Sequence, residues 1–120
     1  MPLDCPVKAF PKAPTFSQKG LEGFRFGLQD RELEIYVVDS KTGHDNFVLN
    51  RRSAHFYFVL EGSGKFIVGF RDYLVSKGDL VEIPPGTEFS YSGRMKLLML
   101  MKPPFSAEDE EAIRKNPEVS

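Results

Sequence analysis

A histidine, a tyrosine and an arginine in the middle of the chain have the spacing and chemistry of an acid–base site. In a strand, alternate side chains share a face, so Arg51, His55 and Tyr57 are predicted to face the same side. His55 could act as a general base with the phenol of Tyr57 as its partner, and Arg51 could hold an anion. The alternatives are a buried His55 hydrogen-bonded to Tyr57 or the backbone, and an Arg51 that reaches solvent at a strand end.

The segments around these residues predict short β-strands. Residues 55–86 read HFYFVLEGSGKFIVGFRDYLVSKGDLVEIPPG, in which apolar runs alternate with turn residues. Glu61–Gly64 is predicted to be a tight turn between two antiparallel strands. Met95, Leu97, Met99 and Met101 lie on one face of the last strand, where they are predicted to be core. Strands at this spacing, with a turn at each gap, indicate an all-β sandwich or barrel.

The chain is predicted to form a single domain, 1–120, with three parts. Four prolines in the first fourteen residues favour an extended N-terminal arm over 1–22. The barrel is predicted over 23–104, because Pro103 and Pro104 end the sheet. Ser106 and Asp109 resemble a helix capping box, and Asn116–Pro117 would end that helix. A short C-terminal helix is therefore expected within 105–120.

Charge and composition restrict the classes of partner. The chain has 16 Lys and Arg against 17 Asp and Glu, which gives a net charge of -1. This balance does not favour binding to nucleic acid or to an anionic membrane surface. The sequence has neither a signal-peptide pattern nor an apolar run long enough to span a membrane, and it has one cysteine. A cytoplasmic protein is expected.

Two groups of glycines and prolines resemble the two motifs of the cupin family. Gly43, His55 and Gly62 have the spacing of the first motif, and Gly78, Pro84 and Gly86 have that of the second. The resemblance covers roughly residues 24–104 and includes the phrases FVLEGSG and GDLVEIPPGT. It implies a cupin double-stranded β-helix, or jelly-roll barrel, that holds a ligand or a metal in a narrow interior.

The metal-ligand positions of the family are replaced in this chain. The two histidines of the first motif fall on Leu49 and Arg51, its glutamate on His55, and the histidine of the second motif on Phe89. Leu and Phe cannot coordinate a metal, and Arg stays protonated and repels one. The sequence therefore predicts neither a metal nor another cofactor. A weak site of other residues, such as His55 with His44 or Glu88, is the alternative; His44 is expected to be solvated in a loop.

The resemblance also places His55 inside the barrel, with Phe89 and Tyr91 approaching from a neighbouring part of it. The predicted ligand-binding residues are Arg51, His55, Tyr57, Phe89 and Tyr91. The predicted function is the binding of a small organic molecule in the interior without a metal. The alternative is a metal-independent isomerase or epimerase in which His55 and Tyr57 are the acid and base, as in some cupins that act on deoxysugars.

The opposite face of the same strand predicts an interface. Phe56, Phe58 and Leu60 alternate with His55 and Tyr57 and so point away from the interior. An apolar outer face needs a second layer or a partner subunit to cover it. A homodimer is therefore expected. A purely structural or regulatory dimer without a ligand is a further alternative.

Overall fold

The computed structural model of the protein describes residues 5–119, which consist largely of β-strands. The first four residues of the predicted arm lie outside the described residues. The strands of the described chain are β1 (Phe16–Gln18), β2 (Leu21–Arg25), β3 (Glu34–Ser40), β4 (Asn46–Asn50), β5 (Ala54–Val68), β6 (Arg71–Ser76), β7 (Leu80–Ile83), β8 (Phe89–Ser92), β9 (Met95–Lys102) and β10 (Glu110–Lys115).

The strands form a curled antiparallel sheet with two halves, here called sheet A and sheet B. Sheet A runs β1-β2-β3-β9-β5, with β7 on the other side of β5. Sheet B runs from the second half of β5 through β8 and β4 to β10, with β6 also paired to β5. Between the two halves lies the core, where Val59, Phe66 and Leu97 are fully buried. The all-β fold expected from the sequence is thus observed, as a curled sheet that forms a half-barrel.

The long strand β5 joins the two halves, and the turn predicted at Glu61–Gly64 is wrong. The first half of β5 pairs with β7 and β9, and its second half pairs with β6 and β8. A register shift between Val59 and Glu61 bends the strand where it changes sheets. Gly62 has a φ of 86°, and a Cβ there would lie 2.3 Å from the Arg94 carbonyl oxygen, so glycine permits a bend here without a hairpin.

The predicted C-terminal helix is a second error. Within the described part of that range, residues 105–119, the helical structure is a single 3-10 turn, Ala107–Asp109, and the side chain of Ser106 makes no capping hydrogen bond. The next residues form β10, which pairs antiparallel with β4. Without β10, the edge of β4 would expose unpaired backbone groups, and this tertiary pairing overrides the local helix signals.

The N-terminal residues also contain strands inside the range expected to be an arm. Strands β1 and β2 form a hairpin that extends sheet A beside β3. Before it, the Phe10 ring lies 5.1 Å from the ring of Phe24. Within residues 5–119, no helix is long and apolar enough to cross a membrane.

The alternation of β9 explains how the core is built. Its buried residues Met95, Leu97, Met99 and Met101 point inward, as the sequence predicts, and they alternate with half-buried or exposed positions. Because β9 pairs with both β3 and β5, these side chains form the middle of the inner face of sheet A. This face is one wall of the candidate site.

Candidate functional site

A cavity of about 350 Å³ lies between the inner faces of the two sheets. A volume of this size suits a small organic ligand. Its lining is aromatic and apolar with a few polar groups, and includes Gln18, Arg25, Glu34, Tyr36, His44, Val48, His55, Tyr57, Phe89, Tyr91, Met99, Met101, Phe105 and Glu110.

Strand register places the side chains of sheet A in rows across the cavity wall. His55 on β5 and Glu34 on β3 are both paired with Met101 of β9. In the next row, Tyr57 and Tyr36 are both paired with Met99. Paired residues share a face, so both rows point into the cavity.

Sheet B supplies the facing aromatic rings. The Tyr91 ring centroid lies 5.4 Å from that of Tyr57, and the Phe89 centroid lies 5.1 Å from that of His55. The rings of His55 and Tyr57 are stacked at 6.1 Å with an interplanar angle of 7°. Four of the five predicted ligand-binding residues, His55, Tyr57, Phe89 and Tyr91, therefore lie together in the cavity, as expected.

The fifth predicted residue, Arg51, lies outside the cavity. Strand β4 ends at Asn50, whose side-chain oxygen accepts hydrogen bonds from the backbone N–H groups of Arg52 and Ser53. This turn ends the alternation on which the prediction relied. The Arg51 side chain is 54% exposed and forms a surface ion pair with Glu111.

The sequence interpretation missed His44, which was expected to be solvated. Its ring lies 5.8 Å from that of Tyr91 and lines the cavity. Its Nδ1 atom lies 2.8 Å from the Asn46 carbonyl oxygen and, farther away, 3.3 Å from the Asn46 backbone nitrogen. The shorter contact is favourable only when Nδ1 carries the proton and donates it, so it favours that tautomer. The Nε2 atom is then the unprotonated nitrogen, and it can accept a proton.

Glu110 is a second missed residue, and it reaches the cavity from β10. It was assigned to the predicted helix, so no face could be given to it. Burial raises the pKa of its carboxyl group, although the Asn50 side chain opposes this effect. A carboxyl group in such a setting takes up a proton more readily than one in water.

The histidines and tyrosines at the centre of the cavity favour their neutral forms. Burial first, and the nearby His44 second, lower the pKa of His55 to about 4. Burial also lowers the pKa of His44. Burial raises the pKa of Tyr91, and burial together with Tyr91 and Glu110 raises that of Tyr57 well above its ordinary value. At neutral pH the site thus holds two uncharged imidazoles and two phenols.

The donor set does not resemble that of a metal centre. Among residues 5–119, no group of three or more His, Cys, Asp or Glu side chains could hold a metal ion. Glu88, considered as a partner of His55 in the sequence, is instead paired with Arg114 at 2.7 Å. Phe89, at the position of the family's last histidine ligand, contributes only its ring.

The fold and the sequence define a small cupin. Residues 35–101 match the cupin domain family, so the protein belongs to this family. Uncharacterized protein MJ1618 of Methanocaldococcus jannaschii is 34% identical over 84 residues, covering 66% of this chain and 64% of that relative. The chain thus spans less than two thirds of the length of that relative.

Solved structures add a more specific likeness. Pac13 of Streptomyces, a nucleoside dehydratase, is 26% identical with a TM-score of 0.80, covering 92% of this chain and 88% of its own. Variants of it with one histidine or one of two tyrosines replaced are known with uridine. KdgF from Halomonas sp. is 14% identical with a TM-score of 0.69, covering 80% of this chain and 90% of its own, and shares the fold.

Proposed function

We propose that the protein is a dehydratase that removes water from a nucleoside bound in the barrel cavity. One observation carries this proposal. The histidine and the two tyrosines replaced in the Pac13 variants are separated by 13 and 34 residues, and the same intervals separate His44, Tyr57 and Tyr91. All three side chains line the cavity here. Equal spacing within a shared fold supports equal positions in the barrel.

His44 is the proposed base. In a dehydration, a base removes a proton from carbon, the electrons of the C–H bond form a C=C bond, and the neighbouring C–O bond breaks. The Nε2 atom of His44 is suited to accept that proton, since the short contact between Nδ1 and the Asn46 carbonyl oxygen favours the tautomer in which Nε2 is unprotonated. Because burial lowers the pKa of His44, its imidazole is neutral at neutral pH and can accept a proton.

The proton for the departing hydroxyl group comes from a neutral acid in the same cavity. Tyr57 and Tyr91 remain phenols at neutral pH because burial raises the pKa of both. Glu110 is a further candidate, since burial favours its protonated form. The leaving oxygen takes this proton and departs as water, which balances the proton taken up by His44.

We further propose that the reaction needs no metal. The family's ligand positions are occupied by Leu49, Arg51, His55 and Phe89, and only His55 among these is a possible metal ligand inside the cavity. The apolar and aromatic walls instead suit a small organic molecule.

An isomerase that uses His55 and Tyr57 is the second candidate. Their stacked rings line the cavity, so they too could contact a substrate. The pKa of about 4 makes His55 the weaker base at neutral pH. The two reactions are distinguished by mass, because isomerisation retains the mass of the substrate whereas dehydration removes one water.

The first experiment measures binding of uridine to the protein by isothermal titration calorimetry. We expect the wild type and the control Arg51→Gln to bind alike, since Arg51 lies outside the cavity. The next step incubates the protein with uridine derivatives in which one sugar hydroxyl is oxidised to a carbonyl, which acidifies the adjacent C–H bond. Mass spectrometry of the products and elemental analysis of the protein for bound metal complete the set.

His44→Gln is expected to reduce turnover by about 100-fold or more while uridine still binds. Tyr57→Phe and Tyr91→Phe test the two phenols in the same way. Absence of uridine binding by the wild type would contradict the proposal, and so would full turnover by His44→Gln. A product of unchanged mass would favour the isomerase. Elemental analysis that finds one metal ion per chain would refute the proposal that the reaction needs no metal, but not the proposed dehydration.

A further inference from the structure

A charged cluster at the rim of the cavity is not used by the proposed reaction. Glu34 is its centre. One carboxylate oxygen, Oε1, accepts hydrogen bonds from the Tyr36 hydroxyl at 3.1 Å and from the Phe105 backbone N–H at 3.0 Å. The other, Oε2, accepts one from Arg25 Nη1 at 3.1 Å. These residues come from β2, β3 and the segment after β9, and all line the cavity.

The bonding capacity of this cluster is not exhausted. A carboxylate oxygen can accept two hydrogen bonds. Oε1 already accepts two, whereas Oε2 accepts one from Arg25 and can accept one more from a ligand. The Arg25 guanidinium has five N–H donors, and the Glu34 ion pair occupies only one of its nitrogens. Its side chain is 50% exposed and that of Glu34 only 14%. A donor and an acceptor therefore stand side by side at the rim.

Strand register gives the backbone separation of this pair from β5, the strand that carries Tyr57 of the proposed reaction centre. Glu34 and His55 share a row with β9 between them, which is two strand spacings, or roughly 10 Å. Arg25 and Tyr57 share the next row at three spacings, or roughly 14 Å. Between the two ends lie Met99 and Met101, an apolar floor on which a flat ring can rest.

We propose that Arg25 and Glu34 form the base-recognition subsite for a nucleoside with an imide edge, such as that of uracil. This inference rests on the proposed function, which puts the sugar near His44, Tyr57 and Tyr91. The uracil edge offers a carbonyl oxygen beside an N–H group. Arg25 donates to that oxygen and Glu34 Oε2 accepts from that N–H, a pairing in which both hydrogen bonds are charge-assisted.

The test compares three nucleosides by isothermal titration calorimetry at fixed salt. Uridine presents the complete edge, 3-methyluridine has a methyl group in place of the N–H hydrogen, and cytidine has an amino group and an unprotonated ring nitrogen at this edge. The wild type is expected to bind uridine at least about tenfold more tightly than either analogue. 3-Methyluridine leaves Glu34 without its donor, and cytidine, with its sugar held in the same place, turns its amino group toward Arg25 and its unprotonated nitrogen toward Glu34.

Glu34→Gln tests the assignment to this residue. The amide can keep its oxygen toward Tyr36 and Phe105, but it then turns an N–H group toward the ligand. We expect the preference for uridine over 3-methyluridine to fall below about threefold. Glu111→Gln is the matched control, because Glu111 belongs to a different Arg–Glu pair, with Arg51, outside the cavity. It should keep the wild-type preference.

The outcomes separate this inference from the function on which it rests. A wild type that binds uridine and 3-methyluridine equally overturns the subsite and leaves the nucleoside proposal standing. A preference that survives in Glu34→Gln also overturns it. A wild type that binds no uridine overturns both. The comparison of ligands on the wild type remains decisive even where Glu34→Gln fails to fold.

Discussion

Burial of His55 has a cost that depends on pH. Its pKa is about 4 in the folded protein, against 6.5 for an unperturbed histidine. Between these values the unfolded chain binds a proton at His55 that the folded protein does not. The free energy of unfolding is therefore undiminished by His55 above pH 6.5 and falls as the pH is lowered toward 4. A shift of this size corresponds to about 3 kcal/mol of unfolding free energy lost over that interval.

His55→Gln is expected to flatten this acid-induced loss, as measured by urea denaturation at a series of pH values. His44→Gln is the control and should keep most of it, since burial rather than His44 is the main cause of the His55 shift. The remaining slope comes from His44, which acts in the same sense, and from Glu110, whose raised pKa acts in the opposite sense. Parallel curves for wild type and His55→Gln would refute this account of His55.

Individual residues were predictable where strand alternation governs them. His55 and Tyr57 lie within a regular part of β5, so their shared face followed from the sequence. Arg51 did not follow, because Asn50 ends β4 and reverses the chain one residue earlier. His44 lies in a loop, where no periodicity assigns a face, and its position comes from its backbone contact with Asn46.

At the scale of elements, Asn116 attaches the C-terminal segment to sheet B. It is 2% exposed, and its Nδ2 atom donates to Ser90 Oγ at 3.0 Å and to the Tyr91 carbonyl oxygen at 3.4 Å. Its backbone N–H donates to the Asp45 carbonyl oxygen beside the His44 loop. The side-chain bonds hold the end of β10 against β8, and β10 carries Glu110.

Asn116→Ala is therefore expected to lower the free energy of unfolding by about 2 kcal/mol, because buried polar partners lose their hydrogen bonds. Urea denaturation measures this loss. Asn46→Ala is the control and should cost less, since the Asn46 side-chain amide donates a long hydrogen bond of 3.4 Å to the adjacent Asp45 side chain. Equal losses in the two variants would contradict an anchoring role for Asn116.

The errors in predicting elements share one physical cause. Local signals at Ser106–Asp109 favour a helix, and those at Glu61–Gly64 favour a hairpin turn. In the fold, residues after the 3-10 turn instead form β10, which pairs with the open edge of β4. Strand β5 continues through its glycines from sheet A into sheet B. Both outcomes depend on pairing between segments far apart in sequence, which local patterns do not contain. The inward residues of β9 were predictable because two flanking strands bury that face uniformly.

At the scale of the molecule, the outer face of sheet A retains an apolar surface. Phe58 is 38% exposed and Leu80, its partner on β7, is 62% exposed. Leu98 on β9 pairs with Phe58 and with Val37 of β3, so one apolar row crosses four strands. Rows of this kind are typical of surfaces that associate. The homodimer expected from the sequence thus remains a prediction, and this face is its proposed interface.

Analytical ultracentrifugation of the wild type should give about twice the 13.6 kDa mass of the chain. Leu80→Lys should shift the equilibrium toward monomer, because a two-fold interface would bring the new charge into its apolar centre. Leu74→Lys is the matched control, since Leu74 is 86% exposed but lies on β6 of sheet B. A monomeric wild type would refute the dimer. Equal dissociation by both variants would place the interface elsewhere than on sheet A.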